Sequence, residues 1–185
     1  MTIDSYKEFG FTVHGQPATK KNSAVMVARR ATLLPSKAYR KYEKQFRAEL
    51  RELKAKIGEL PHYEGPVQLT ALYYLESRAH YPDLNGLIQA TQDIISDEYT
   101  MVLDKSTGKR KRQRSRRWIL SDDRIIKSLD GTRIAGIDRE RPRVEITIRP
   151  LPIDLNTETD PQLIKLAQAR TQTELEFDDG GDGNE

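Results

Sequence analysis

Cysteine is absent from the 185 residues, which excludes disulfides, thiolate metal sites and a cysteine nucleophile. Any metal must be held by oxygen or by histidine nitrogen. The three histidines, His14, His62 and His80, lie in unconnected segments, so each reads as a surface or packing residue and not as a catalytic base. No run approaches the roughly 20 apolar residues of a membrane span. The residues 1–7 also lack the apolar core of a signal peptide. The expectation is a soluble, unexported protein with no membrane partner. No internal repeat occurs, and the length suits one domain with a core plus appendages.

Charge is plentiful and segregated. Residues 154–185 carry nine acidic and two basic side chains, leaving 29 basic and 19 acidic in residues 1–153. The body is therefore about +10 and the tail about −7. A body of that charge favours polyanions, because neutralising phosphates releases condensed counterions.

Periodicity gives a mixed picture of strands and helices. Phe11 to Val13 predicts a strand, ended by His14-Gly15-Gln16-Pro17. A polar loop with Lys20, Lys21, Asn22 and Ser23 is expected next. Ser36 can cap a helix whose Tyr39, Tyr42, Phe46, Leu50, Leu53 and Ile57 recur at spacings of three and four, and Gly58 can close it. Val67 to Glu76 alternates as a strand. Asp83 can cap a second helix, Leu84 to Ser96, with Leu84, Leu87, Ile88, Thr91, Ile94 and Ile95 as its apolar stripe. Residues 99–118 predict a protruding hairpin turning at 105–108, with Trp118 anchoring its base. Arg124 to Leu129 and Arg143 to Ile148 read as strands. Asp160-Pro161 opens a weakly amphipathic helix in an otherwise disordered acidic tail. The fold class is α/β of the α+β type: a mixed β-sheet covered by two helices, with a basic β-hairpin projecting from it.

Two features carry chemistry. Asp83 and the pair Asp122-Asp123, each beside a short apolar segment, are separated acidic residues of the kind that converge on a divalent cation and a phosphodiester. Asn85 can add a carbonyl oxygen. Adjacent residues of an extended chain face opposite ways, so one of the pair is expected at the site, Asp123 in preference to Asp122. Asp93 and Asp97 read as serving structure or a second surface, because ten or more helical residues at about 1.5 Å each put them roughly 15 Å or more along the axis from Asp83. The second feature is the run Lys109, Arg110, Lys111, Arg112, Arg114, Arg116 and Arg117, interrupted only by Gln113 and Ser115. Such a density suits nucleic-acid phosphates. The run holds no aromatic residue, so base stacking is not indicated.

The segments FTVHGQPATKKNS, PSKAYRKYEKQ, PDLNGLIQATQD, LSDDRII and PRVEITI, in this order, resemble the RusA family of Holliday-junction resolvases over residues 9–150. Residues 151–185 are then an acidic C-terminal tail. The resemblance implies a Mg²⁺-dependent homodimeric endodeoxyribonuclease, with Mn²⁺ as the alternative ion, that nicks four-way or other branched DNA in recombination and repair. It implies the cytoplasm of a bacterium or phage-infected cell as its location. Asp83 matches the first motif aspartate and Asp123 the later one, with Asp122 beside it. Asp83, Asn85 and Asp123 are then the metal ligands, and Lys20, Lys21 and the seven cations of the ribbon meet DNA. The family's second motif aspartate is Asn85 here, and its motif lysine is Gln89. Lys127, four residues after Asp123, Lys20 or Lys21 can replace that lysine. The altered motif also fits a second reading, a homologue that binds branched DNA without cutting it.

Overall fold

The computed structural model describes residues 7–20, 22–27, 30–79, 81–106 and 108–152, together with 156, 158–161, 163–165 and 168. Lys21 and His80 lie outside the described residues, as do Thr107 of the expected turn and residues 171–185 of the tail.

The core forms where alternating strands meet striped helices. β4 (Val67–Leu75) sends Val67, Leu69, Ala71, Tyr73 and Leu75 to a buried face. Its antiparallel partner β9 (Arg143–Pro150) sets Ile148, Ile146 and Val144 opposite Leu69, Ala71 and Tyr73. β1 (Phe9–His14) completes this side by pairing antiparallel with β9. Along the other side of β4 run β7 (Ile126–Ser128) and β8 (Arg133–Ile137), both parallel to it. The five-stranded sheet is therefore mixed. Tyr74, on the reverse face of β4, is covered by the guanidinium of Arg143, 3.8 Å from its ring centre.

Two helices cover the buried face. α1 (Lys37–Ile57) begins at Ser36, whose Oγ accepts from Tyr39 N at 3.2 Å, and ends at Gly58, whose φ of +89° suits glycine. Tyr39, Tyr42, Phe46 and Leu50 are buried, while Ile57 at the helix end is exposed. α2 (Leu84–Ile95) is capped by Asp83 and buries Leu87, Ala90, Thr91, Ile94 and Ile95. Each fully buried Leu, Ile or Phe side chain contributes about 2 kcal/mol. Among the described residues no helix is long and apolar enough to cross a membrane.

Three local expectations are corrected. Asn22 and Ser23 do not lie in a loop, because β2 (Asn22–Val27) starts there and pairs antiparallel with β3 (Arg30–Pro35). Two apolar runs two residues apart were the hairpin signal. The strand expected over Arg124 to Leu129 is shorter: a 3-10 turn, Asp123–Ile125, precedes β7, and beyond it a turn with Gly131 at φ +81° leads into β8, a strand outside the expected ones. Asp-Gly supplies that turn, and Thr70 Oγ1 fixes it by donating to Asp130 O at 2.8 Å. Finally, β9 continues two residues beyond Ile148, to Pro150.

The basic hairpin is a two-stranded ribbon of β5 (Glu98–Leu103) and β6 (Arg110–Arg116), separate from the main sheet. Trp118 holds its base: the ring is buried among the guanidinium groups of Arg47, Arg51 and Arg116, 5.4–5.9 Å from the ring centre, and Nε1 donates to Glu98 Oε1 at 3.1 Å. In the C-terminal segment, Ile164 N donates to Asp160 O at 3.0 Å and Leu163 is buried, so helix does begin at Asp160-Pro161.

Candidate active site

A cleft of about 420 Å³ opens where α1, α2, the ribbon base and the 3-10 turn meet. Its acidic side consists of Asp93, Asp97, Asp122 and Asp123, with Glu43 from α1, and its cations are Lys20, Arg47 and Arg112.

Main-chain pairing places the two adjacent aspartates. Ile119 and Leu120 are buried, and both of their N–H groups donate to Ile95 O at 3.0 Å. Ser121 N donates to Tyr63 O at 2.9 Å, and Asp97 N to Leu120 O at 2.8 Å. The chain leaving this clamp delivers Asp122 and Asp123 to the cleft beside the end of α2. Both line it, which corrects the expectation of one: Asp122 caps the 3-10 turn at Asp123, so the alternation of an extended chain does not apply there.

The two carboxylates differ electrostatically. Burial alone would raise Asp122, but Arg124 outweighs it by donating through Nε at 2.8 Å and through its backbone N at 3.1 Å, so Asp122 is held below the usual carboxylate range. Asp123 is pushed up, by burial first and then by the hydrogen bond and charge of Asp122 and the charge of Asp93. Asp93 stands in the last turn of α2, where the negative end of the helix dipole adds to its own charge. Lys20 Nζ answers it at 2.7 Å. The Tyr39 phenol at the cleft wall is raised by burial and by Glu43 and Asp93, so it stays a hydrogen-bond donor.

Asp97 has a different role. Its side chain is fully buried and accepts from Trp118 N at 2.7 Å, His62 Nε2 at 3.1 Å and Arg114 Nη1 at 3.1 Å. It is structural, as the sequence suggested, and it ties the ribbon to the body. His62 is a packing residue within that network, and His14 pairs with Glu49 on the surface.

The remaining site residues are dispersed. Asp83 is exposed and its Oδ1 accepts from Gly86 N at 2.6 Å, so it caps α2. Neither it nor Asn85 lines the cleft. Lys127 pairs with Glu158 at 3.5 Å and Asp160 at 3.9 Å, in the C-terminal segment. The lysine at the cleft is Lys20. All seven residues of β6 are exposed, and Arg112 reaches back until Nη2 is 3.8 Å from Asp122. Lys109 and Arg117 flank that strand and are exposed as well.

Distance from Asp83 sets Asp93 aside on sequence grounds. That distance is real, but the cleft lies at the Asp93 end. Asn85, Gln89 and Asp93, four residues apart, share one helical stripe that leads from the Asp83 end to the cleft, and this spacing was the available signal. Among the described residues no three carboxylate or imidazole groups form a ready-made metal cage. The oxygen donors at the cleft are of the chemical kind that a hard divalent ion takes. No protein-family model matches the chain, and no curated protein matches its sequence.

Proposed function

We propose that the protein is a metal-dependent, structure-selective endodeoxyribonuclease of RusA type acting on four-way or other branched DNA. The observation that carries the reading is the crowding of Asp93, Asp122 and Asp123 at a cleft bordered by Lys20 and Arg112, directly below a ribbon of exposed cations.

Asp93 and Asp123 would hold the ion, Mg²⁺ or Mn²⁺, with Asp122 beside them. When bound, such an ion polarises a phosphodiester and lowers the pKa of water. The protein's own groups do the rest. Lys20 and Arg112 offset charge on the scissile phosphate. The ribbon cations Lys109, Arg110, Lys111, Arg114, Arg116 and Arg117 neutralise phosphates along an arm and so hold the DNA over the cleft. Asn85 and Gln89 extend the polar stripe of α2 beneath it. Asp83 lies outside the cleft and its Oδ1 accepts the capping bond from Gly86 N, so its role in this reading is to fix the helix start. Paired cuts across a junction need two symmetry-related sites, so the acting species is a homodimer, at work in the cytoplasm of a bacterium or phage-infected cell.

Incubating the protein with an end-labelled four-way junction and Mg²⁺ or Mn²⁺ tests this. Symmetric nicking that disappears in Asp123→Asn and Asp93→Asn, with a linear duplex left intact, supports the reading. Tight junction binding without nicking in either ion supports the second reading, a recognition protein on a disabled nuclease site. Asn85 and Gln89, where the family motif has an aspartate and a lysine, favour that alternative.

A further inference from the structure

The two faces of the ribbon differ chemically. Its register sets Tyr99 opposite Arg114, Met101 opposite Arg112 and Leu103 opposite Arg110. Residues opposite one another in an antiparallel pair share a face. One face therefore carries an apolar stripe beside an arginine stripe, while Thr100, Val102, Lys111 and Gln113 lie on the other. Met101 is 60% and Leu103 59% exposed, and Tyr99 is 37% exposed. Large apolar side chains grouped in this way on a projecting element mark a contact surface.

The arginine-bearing face is the one joined to the cleft. Arg114 reaches Asp97, and Tyr99 Oη donates to Ser121 O at 3.3 Å. Arg112 lies 3.8 Å over the Tyr99 ring while also facing Asp122. From Tyr99 the stripe runs outward for about 13 Å to Leu103. The basic strand has no aromatic residue, but its partner strand supplies one.

We infer that this face receives nucleobases that have left the stack at a DNA branch. Tyr99, Met101 and Leu103 pack against the bases, and Arg110 and Arg112 hold the flanking phosphates. Charge complementarity selects this occupant. An unstacked nucleotide offers an apolar ring and an adjoining anion, which matches an apolar stripe beside an arginine stripe. A second copy presenting the same face would set arginine against arginine, and beyond Glu98 neither strand carries a carboxylate. Apolar side chains that enter opened base steps are a known way to hold distorted DNA. The inference rests on the branched-DNA reading and names the part of the substrate that the ribbon grips.

The test uses the full chain and a double variant, Met101→Thr with Leu103→Thr. Threonine keeps strand propensity, and both positions are exposed, so an unchanged melting temperature is expected. The DNAs are a four-way junction with 2-aminopurine at the branch and a linear duplex of the same arm sequence, in Ca²⁺. The base analogue brightens when it leaves the stack. The wild type should prefer the junction and brighten the branch probe. The variant should lose the brightening and about tenfold in junction affinity, with duplex affinity unchanged. A variant that binds and brightens like wild type overturns the inference while leaving the nuclease reading intact. A variant that sediments as a smaller species overturns it too, because the face is then an interface between copies. A wild type that binds junction and duplex equally removes the branched-DNA reading itself, and this inference with it.

Discussion

The two ends of α2 each carry an aspartate, and their surroundings make them different groups. Asp83, at the start, bonds the N–H of Gly86 and is otherwise open to water. Asp93, about 15 Å further along the axis, faces Asp122, Asp123 and Lys20 across a cleft. The first carboxylate satisfies an orphan donor and stabilises the positive end of the helix dipole. The second adds negative charge where charge is already crowded. A carboxylate's role is set by what the fold puts opposite it, and neighbours in sequence are a poor guide to that.

The sharpest way to break this comparison is to remove charge at the cleft. Asp123→Asn and Asp93→Asn should each lower the single-turnover nicking rate by roughly a thousandfold, about 4 kcal/mol of transition-state stabilisation. Equal losses from the Asp83 end would reverse the assignment. Asp97→Ala should act on folding instead. It strips a buried charged network of the acceptor for Trp118 N, His62 and Arg114, so urea unfolding should report a loss of about 3–5 kcal/mol.

Replacing Arg110, Lys111 and Lys109 with glutamine should flatten the dependence of log Kd on log salt by about 0.9 for each phosphate that is no longer neutralised. Anisotropy across a salt series measures it. The pH response has a definite sign. Asp123 is raised above the ordinary carboxylate range, and its proton must leave before an ion can bind. Mn²⁺ affinity should therefore weaken as pH falls through that raised pKa. Calorimetry with the wild type and Asp123→Asn, in which the raised group is gone, isolates its part. The smallest effect belongs to Asp83→Asn: asparagine also caps helices, so nicking should change only about two- to threefold.

Much of the fold is legible in the sequence because its signals are local. Ser36 and Gly58 bound α1, and Asp83 opens α2, since caps are chosen by side chains that bond the nearest free N–H or tolerate positive φ. The ribbon and its anchor Trp118 are legible from the turn, the charge run and the lone indole beside them. The hairpin of β2 and β3 is signalled only by the spacing of two apolar runs, and β8 only by the Asp130-Gly131 turn before it, because short strands without strict alternation resemble loops. At the site, Asp122 and Asp123 stand out in the sequence, while Asp93 is hidden by its distance from Asp83, since the cleft lies at the other end of the helix.

The sequence by itself determined the helices, the central strand, the basic ribbon and the identity of the acidic residues, since periodicity, capping and charge density are written within a few residues of one another. Only the tertiary structure decided which of those acids meet. The clamp of residues 119–121 between Ile95 and Tyr63 brings Asp122 and Asp123 to the end of α2, and the ribbon's register puts an apolar stripe beside its arginines. Both depend on pairings between distant segments, which are set by where each strand can bury its apolar face and satisfy its backbone.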